Sequence, residues 1–251
     1  MLKDFTKEKF DIIIQAGQSN AEGSGFGPAA MPYQPKDTVY VMEQNRMIGV
    51  AREYVDGNRI RGNFALSFAD GYINAGLLAE GRKLLILRTA VGGTGFLDQK
   101  WRPQDPLFLQ MLDMTRTALS LNEENRVVCM LWHQGETDAI LGADHAMHYN
   151  NLSMLLRLTR TAFGDIPFIA GDFVQQWEAE YAAMCAPVVT AMRDVCAENA
   201  GCAFVETQDL PSNKQALHDI MPELDDTIHF SRQSLYELGR RYFDAYRQIA
   251  Q

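Results

Sequence analysis

The fold of this chain is decided by the stretch at residues 11–20, DIIIQAGQSN. Its first part is a short apolar run of strand length, which is cut off by Gly17, Gln18, Ser19 and Asn20. A buried strand that ends in such a turn presents the following side chains at the carboxyl edge of a sheet, where open α/β sheets bind their ligands. The hydroxyl group placed at this edge makes Ser19 a candidate nucleophile.

Outward from this strand, apolar runs of strand length alternate with segments in which apolar residues return every three or four positions. The predicted strands lie at residues 11–16, 38–42, 83–88, 126–132, 167–173 and 202–206. The predicted helices lie at residues 65–80, 106–121, 144–163, 179–199 and 232–249. This alternation is typical of parallel strands joined by crossover helices. It predicts an α/β fold, a three-layer α/β/α sandwich with a mainly parallel central sheet of the flavodoxin-like type.

The pattern of two predicted strands indicates that helices cover both faces of the sheet. The runs at 83–88 and 126–132 are apolar almost throughout instead of alternating, as expected for strands that are covered on both sides. The run at 38–42 is predicted as an added edge strand. The sequence has no internal repeat or linker, and its length suits one large α/β domain, so a single domain is predicted over residues 1–251.

Composition excludes several classes of partner. The 251 residues include 23 Lys and Arg against 32 Asp and Glu, a net charge of −9, whereas nucleic-acid backbones are recognised by clustered Lys and Arg. No run approaches the roughly 18 apolar residues that span a bilayer. The charged first ten residues lack the apolar core of a signal peptide. We therefore expect no nucleic-acid or membrane partner and a cytoplasmic location, although secretion after removal of a signal peptide stays open.

The four cysteines are expected to be free, buried thiols, because they show no Cys-x-x-Cys pairing and are too sparse for a disulfide scaffold. They are Cys129, Cys185, Cys196 and Cys202.

A histidine and a carboxylate are needed to activate the serine. A hydroxyl group becomes a good nucleophile when a base takes its proton and a third group orients that base. Among the five histidines, His229 has the best case, because Asp226 lies three residues earlier and one turn can hold its carboxylate against the imidazole Nδ1. The neighbouring Asp225 does not fit this spacing. Each residue alone is more often a turn, cap or surface residue, whereas the ordered set favours catalysis.

Acyl transfer also needs hydrogen-bond donors where the tetrahedral oxyanion forms. The main-chain N–H of Ser19 is one candidate. The glycine-rich loop after the strand at 83–88 offers another, from Gly92 or Gly93, because glycine lets main chain approach a substrate closely. The side-chain amide of Gln134, which follows the strand at 126–132, is a third.

Three ordered blocks carry a family resemblance: Gly-Gln-Ser-Asn at 17–20, Gln-Gly-Glu at 134–136 and Asp-x-x-His at 226–229. The chain resembles SGNH-type hydrolases, and within them the carbohydrate-esterase branch of sialate O-acetylesterases and acetyl xylan esterases. The resemblance implies the same oxyanion roles for the glycine loop and for Gln134, which stands where most members carry asparagine. It also makes Glu136 a rival of Asp226 for orienting the histidine. The alternative for Glu136 is a buried carboxylate bound to loop amides.

Other polar and aromatic residues carry weaker signals. Asp138 is most simply a helix N-cap or a loop acceptor. His145 and His148 lie on a polar helix start beside Asp144 without a third ligand, so a solvated face is the preferred interpretation, and no metal or cofactor is predicted. The aromatic residues near strand ends more often seal the core than stack on a sugar. They are Phe96, Trp101 and Trp177, and Phe96 is the hypothetical wall of an acetyl pocket.

The resemblance implies a serine esterase that removes O-acetyl groups from a carbohydrate, with a small or oligosaccharide acetyl ester as its partner. Two alternatives stay open at this point. The same site suits a broad short-chain esterase or acyltransferase, and the same fold suits a catalytically silent carbohydrate-binding domain. The oligomeric state is not readable from the sequence.

Overall fold

The computed structural model describes residues 4–250. Its strands are β1 Lys9–Gly17, β2 Val39–Met42, β3 Ile48–Val50, β4 Tyr54–Asp56, β5 Arg59–Arg61, β6 Arg82–Arg88, β7 Arg126–His133, β8 Phe168–Gly171 and β9 Cys202–Val205. Its helices are α1 Ser19–Glu22, α2 Phe64–Asn74, α3 Pro106–Ser120, α4 Glu136–Ile140, α5 His145–Phe163, α6 Gln175–Glu180, α7 Ala182–Glu198, α8 Asn213–Ala216 and α9 Arg232–Ile249.

Seven of the strands described in residues 4–250 form one sheet, in the order β3-β2-β6-β1-β7-β8-β9. All neighbours pair in parallel except β3, which runs antiparallel to β2. The run β6-β1-β7-β8-β9 reproduces the flavodoxin-like strand order, with β2 and β3 added outside β6. Because the order reverses at β1, the loops after β1, β6 and β7 meet at one crevice.

Helices cover both faces of this sheet. Strand residues point alternately to opposite faces, and the last two residues of β7 show which helices lie where. His133 packs against Phe64 of α2 and Tyr242 of α9, whereas Trp132 stacks on Phe96, whose ring also meets α5. Helices α2 and α9 therefore form one layer, and α3, α5 and α7 form the other. The predicted α/β/α sandwich is confirmed.

The structure also corrects the sequence prediction at three places. The strand at 38–42 is present but is not the edge strand, because β3 pairs outside it. The helix predicted at 179–199 corresponds to α7, and its first residues belong to a separate helix, α6, which ends at Glu180. Strands β4 and β5 were not predicted, and they form a separate two-stranded hairpin. These elements are short and exposed, so they lack the apolar pattern that marks a buried strand.

A buried carboxylate lies near the amino end of β1. Asp11 is fully buried, and its two oxygens accept hydrogen bonds from Arg82 Nε at 2.8 Å, Arg126 Nε at 2.7 Å and Tyr72 Oη at 3.0 Å. The guanidinium of Arg126 adds a second bond at 3.1 Å. A carboxylate paired in this way compensates for its loss of water and ties β1 to the strands on both sides.

Three further findings bear on the predictions. Among the described residues, no helix is both long and apolar enough to cross a membrane. The four cysteines are free, and Cys202 is partly exposed whereas the other three are buried. The ends of the predicted domain, residues 1–3 and 251, lie outside the described residues, so the single domain over 1–251 stays a prediction.

Candidate active site

Ser19 lies at the sharp turn that ends β1. Gly17 has a φ of +128°, and a Cβ at this position would lie 2.0 Å from the main-chain oxygen of His133. The N–H of Gln18 donates to the same carbonyl at 2.9 Å. Only glycine permits this approach of β1 to β7. The chain then enters α1, and the partly exposed side chain of Ser19 is presented at the carboxyl edge of the sheet.

The structure brings Ser19, His229 and Asp226 into one hydrogen-bonded row. His229 Nε2 lies 2.9 Å from Ser19 Oγ, and His229 Nδ1 lies 2.8 Å from Asp226 Oδ1. Burial acts to raise the pKa of Asp226, but hydrogen bonds from His229, its charge, and a bond from Asn213 together lower that pKa below its usual range. An ionised Asp226 favours the tautomer in which Nδ1 carries the proton and Nε2 is free to accept one from Ser19.

Two asparagines that sequence analysis missed hold this row in place. Asn213 Nδ2 donates to Asp226 Oδ2 at 2.8 Å, so both carboxylate oxygens are fixed. The Asn20 side chain donates to Ile228 O at 3.0 Å and accepts from Phe230 N at 3.1 Å. It therefore fixes the main chain on both sides of His229. Asn20 could have been predicted from its place in the Gly-Gln-Ser-Asn block, whereas no local pattern marks Asn213.

The glycine loop reaches the nucleophile through Gly92. A Cβ built on Gly92 would lie 3.5 Å from Ser19 Cβ, whereas one built on Gly93 would have no neighbour within 4 Å. The N–H of Gly92 donates to Glu22 Oε2 at 2.8 Å. This N–H therefore already faces an anionic oxygen beside Ser19. Of the two glycines, Gly92 is the better placed to stabilise an oxyanion, and the roles of both stay predictions.

Gln134 and Glu136 are both fully buried after β7. The Gln134 amide nitrogen donates to Asp138 Oδ2 at 2.8 Å and lies 3.4 Å from Gln18 Oε1. To donate to an oxyanion, this amide must exchange one of those bonds, so its catalytic role stays a prediction. Glu136 Oε1 accepts from Asn20 Nδ2 at 2.8 Å. In this arrangement Glu136 reaches the histidine loop through Asn20, whereas Asp226 contacts His229 directly.

Asp138 lies inside α4 as a buried acceptor for the glycine loop, not as an N-cap. It accepts from Phe96 N at 3.0 Å and from Leu97 N at 2.8 Å, in addition to Gln134. Burial acts to raise the pKa of Asp138, but the nearby imidazole of His148 and the hydrogen bonds from these loop amides lower it. The carboxylate thus fixes the loop that carries Gly92 to the loop that carries Gln134.

The predicted solvated face at His145 and His148 is wrong for one of the two. His148 is 1% exposed because it packs against the ring of Phe96 and its Nδ1 lies 3.5 Å from Asp138 Oδ2, whereas His145 Nε2 pairs with Asp194 Oδ2 at 2.8 Å. Across residues 4–250, no group of three or more His, Cys, Asp or Glu side chains is arranged to hold a metal ion.

The aromatic residues predicted near the rim belong to the core. Phe96 is 1% exposed and stacks on Trp132, so it offers no surface to an acetyl group, and this hypothesis is wrong. Trp101 and Trp177 are also buried. The half-exposed ring of Tyr54, on the unpredicted β4–β5 hairpin, is instead available at the surface.

A serine, histidine and aspartate in hydrogen-bonded order at the carboxyl edge of a parallel sheet have the arrangement that serine hydrolases use. A comparison with known families defines the class of this protein more closely. The chain belongs to the carbohydrate esterases of the sialic acid-specific acetylesterase family, whose model matches residues 9–248. This match confirms the resemblance predicted from the three sequence blocks.

One curated relative and several solved structures are similar to this chain. Over 91 residues the chain is 26% identical to the probable 9-O-acetyl-N-acetylneuraminic acid deacetylase of Escherichia coli strain K12. This match spans 33% of the chain and 28% of the relative, so the chain matches less than a third of the relative's length.

The solved structures share the fold. NanS has a TM-score of 0.78 at 17% identity, covering 96% of this chain and 98% of its own. A protein from Arabidopsis thaliana has a TM-score of 0.75 at 18% identity, covering 95% and 98%. A carbohydrate acetylesterase from Xanthomonas citri has a TM-score of 0.61 at 16% identity, covering 96% of this chain and 56% of its own.

Proposed function

We propose that this protein is a serine esterase that removes O-acetyl groups from a carbohydrate. The observation that carries the proposal is the row from Ser19 Oγ through His229 to Asp226, with separations of 2.9 and 2.8 Å. These distances lie within the hydrogen-bond reach that proton transfer requires. Membership of a carbohydrate esterase family supplies the class of substrate.

In the first half of the reaction, Ser19 Oγ attacks the acetyl carbonyl carbon while its proton passes to His229 Nε2. The resulting imidazolium is stabilised by Asp226, and the carbonyl oxygen becomes an oxyanion. Collapse of this intermediate breaks the bond between the carbonyl carbon and the sugar oxygen. His229 returns its proton to that oxygen, which leaves an acetylated Ser19 and a free hydroxyl group on the sugar.

In the second half, a water molecule attacks the acetyl-serine while His229 takes one of its protons. Collapse of the second intermediate releases acetate, and the proton on Nε2 returns to Ser19 Oγ. The N–H groups of Ser19 and Gly92 would receive both oxyanions. Because Gly92 N–H donates to Glu22 in the present structure, we expect the Glu22 carboxylate to move when this N–H turns to the substrate.

The experiment is a turnover assay on p-nitrophenyl acetate and on an O-acetylated sugar, with acetate release as the readout. An organophosphonate should label Ser19, and the labelled peptide identifies the nucleophile by mass spectrometry. Acetyl esters should be favoured over butyryl and octanoyl esters of the same alcohol by about 10- to 200-fold in kcat/KM if the site excludes added methylenes. A rising kcat/KM with chain length would contradict an acetylesterase, and a protein that turns over neither substrate would refute the proposal.

A further inference from the structure

A cleft opens at the end of the helix that begins with the nucleophile, between the end of β6, the loop after β2 and the β4–β5 hairpin. Its volume is about 430 Å³, which is within the range of small-ligand sites. The residues that line it are Glu22, Glu43, Gln44, Asn45, Tyr54, Arg88 and Ala90. Ser19, His229 and Asp226 line neither this cleft nor a larger concavity of about 770 Å³ on the surface of α5, but Glu22 of the cleft lies on the same short helix as Ser19.

Two residues that line the cleft, Glu22 and Ala90, connect it to the proposed reaction centre. Glu22 is three residues after Ser19 on α1, and its carboxylate accepts the Gly92 N–H at 2.8 Å. Ala90, on another wall, begins the loop that leads to Gly92, and its carbonyl lies 3.4 Å from Gln44 Nε2. A substrate whose acetyl group meets Ser19 therefore has its remaining part next to this cleft.

The cleft has the chemistry that suits a sugar ring. Carboxylate, amide and guanidinium groups can bind several hydroxyl groups at once. Tyr54 adds an aromatic ring that is half exposed, with the Arg88 guanidinium 5.3 Å from the ring centre. A sugar presents hydroxyl groups at its edge and C–H groups on its faces, so a polar wall beside an exposed ring complements both.

The charges of the cleft point to a neutral sugar. Arg88 is the single cation among the lining residues, and it already lies 3.4 Å from Glu43 Oε1 and 3.3 Å from the main-chain oxygen of Glu22. The second carboxylate, that of Glu22, leaves the lining with a formal charge of −1. A sugar that carries its own carboxylate would meet this net negative charge at close range, where like charges repel.

From these observations we infer that the cleft is the glycosyl subsite of this enzyme and that it takes an uncharged O-acetylated pyranoside in preference to a carboxylated one. Tyr54 contacts the sugar ring, and the carboxylates of Glu22 and Glu43 accept bonds from its hydroxyl groups. The inference rests on the proposed esterase function, because it assigns the place of the sugar in that reaction.

The first test separates the subsite from the reaction centre. We compare kcat/KM for a mono-O-acetylated methyl glucopyranoside with that for p-nitrophenyl acetate. Tyr54→Ala should lower the ratio of the two by roughly three- to tenfold, because a ring contact of this kind is lost. The matched control is Val55→Ala on the same hairpin, which removes an exposed side chain outside the cleft and should leave the ratio unchanged. Equal ratios in Tyr54→Ala and wild type would overturn the subsite.

The second test addresses charge. Wild type should hydrolyse the acetylated glucopyranoside with a kcat/KM at least about tenfold above that for 9-O-acetyl-N-acetylneuraminic acid. Glu43→Gln should reduce this preference by several-fold, because it removes a carboxylate and releases Arg88. Glu123→Gln changes the net charge equally at an exposed position outside the cleft, and it should preserve the preference. A wild-type preference for the carboxylated sugar would overturn the inference.

A binding measurement distinguishes failure of the subsite from failure of the proposed reaction. In a Ser19→Ala background, calorimetry with the acetylated glucopyranoside should give a Kd that rises three- to tenfold when Tyr54→Ala is added. If wild type lacks turnover but this difference is seen, the proposed function fails and the cleft still binds the sugar. If turnover occurs without the difference, the esterase stands and the subsite is wrong.

Discussion

The buried polar groups near the two ends of β1 differ in how completely they are hydrogen-bonded. At the amino end, Asp11 has four hydrogen bonds from two arginines and a tyrosine. At the carboxyl end, several buried polar atoms have no hydrogen-bond partner among the described residues, including Gln134 Oε1, Glu136 Oε2 and His133 Nε2. Buried polar atoms are normally paired, and unpaired ones need a reason.

The difference separates a polar cluster that stabilises the fold from one arranged for chemistry. A fully paired carboxylate such as Asp11 is held in one geometry and has no capacity left for a substrate. The groups around Ser19 keep donors and acceptors that can change partners, as the Gly92 N–H bonded to Glu22 illustrates. Mutations at the carboxyl end should therefore change kcat more than stability, and mutations at the amino end should do the reverse.

The largest effect is expected for Ser19→Ala. Without the attacking oxygen, kcat on an acetyl ester should fall by at least about 10⁴-fold, because only oxyanion and binding contributions survive. The melting temperature should change by no more than a degree or two, since the side chain is partly exposed. Residual activity within tenfold of wild type, measured on protein free of wild-type contamination, would show that Ser19 is not the nucleophile.

The next largest effect shows whether Asp226 or Glu136 orients His229. Asp226→Asn should lower kcat by roughly 10³- to 10⁴-fold, because an amide stabilises the wrong imidazole tautomer. Glu136→Gln should be less damaging, since its carboxylate reaches the histidine loop only through Asn20. The exposed Asp225→Asn is the matched control and should retain full kcat. The opposite order of losses would give the orienting role to Glu136.

At the amino end, Asp11→Asn tests stability. Removing the charge leaves two guanidinium groups without their carboxylate, and breaking a buried pair of this kind costs about 3 kcal/mol in the free energy of unfolding. Urea unfolding measures the loss, with the exposed Asp219→Asn as the control. The kcat of the folded Asp11→Asn protein should stay within about twofold of wild type. A large drop in kcat with unchanged stability would contradict the division between the two ends.

The smallest effect is a change in the slope of stability against pH. Burial lowers the pKa of His133 to about 3, so between about pH 3 and 6.5 the unfolded chain binds a proton that the folded chain does not. His133 therefore makes the free energy of unfolding rise with pH in this window, by up to about 1.4 kcal/mol per pH unit. His133→Asn should remove this contribution. Urea unfolding at several pH values measures it, as the difference in slope from wild type.

The slope of the variant must be compared with that of wild type, because another buried group changes stability with pH in the opposite direction. Burial, and then the charge of Glu178, raise the pKa of Asp172 to about 7, so between about pH 4 and 7 the folded chain keeps a proton that the unfolded chain has lost, and stability falls with rising pH. This contribution is common to wild type and variant and cancels. The exposed His218→Asn is the control. A slope in His133→Asn equal to that of wild type and His218→Asn would show that His133 is not the cause.

The parts of the site that are encoded locally could be predicted from the sequence. The strand-turn at Ser19 is marked by an apolar run and a glycine, and Asp226 lies within one turn of His229. The sheet order around β1 followed from the alternation of strands and helices. These features depend on short-range spacing, which a single sequence displays.

The features that were missed depend on contacts between distant segments. Asn213 binds Asp226, and Glu22 binds Gly92 across 70 residues, but neither pairing leaves a local pattern. His148 was assigned to solvent because its neighbours in sequence are polar, whereas its side chain is buried against Phe96 and Asp138. The β4–β5 hairpin was missed because short exposed strands are selected by their surroundings more than by propensity.

The side chain of Asn20 has a consequence for the order in which the protein becomes active. Its bonds join the nucleophile turn to residues 116, 208 and 210 positions further along the chain. Contacts of such high sequence separation close long loops, which costs entropy and slows folding. During refolding, the local structure of the helices should therefore recover before turnover does. Regain of turnover would report the docking of the last long-range segment, and with it the completion of the native topology.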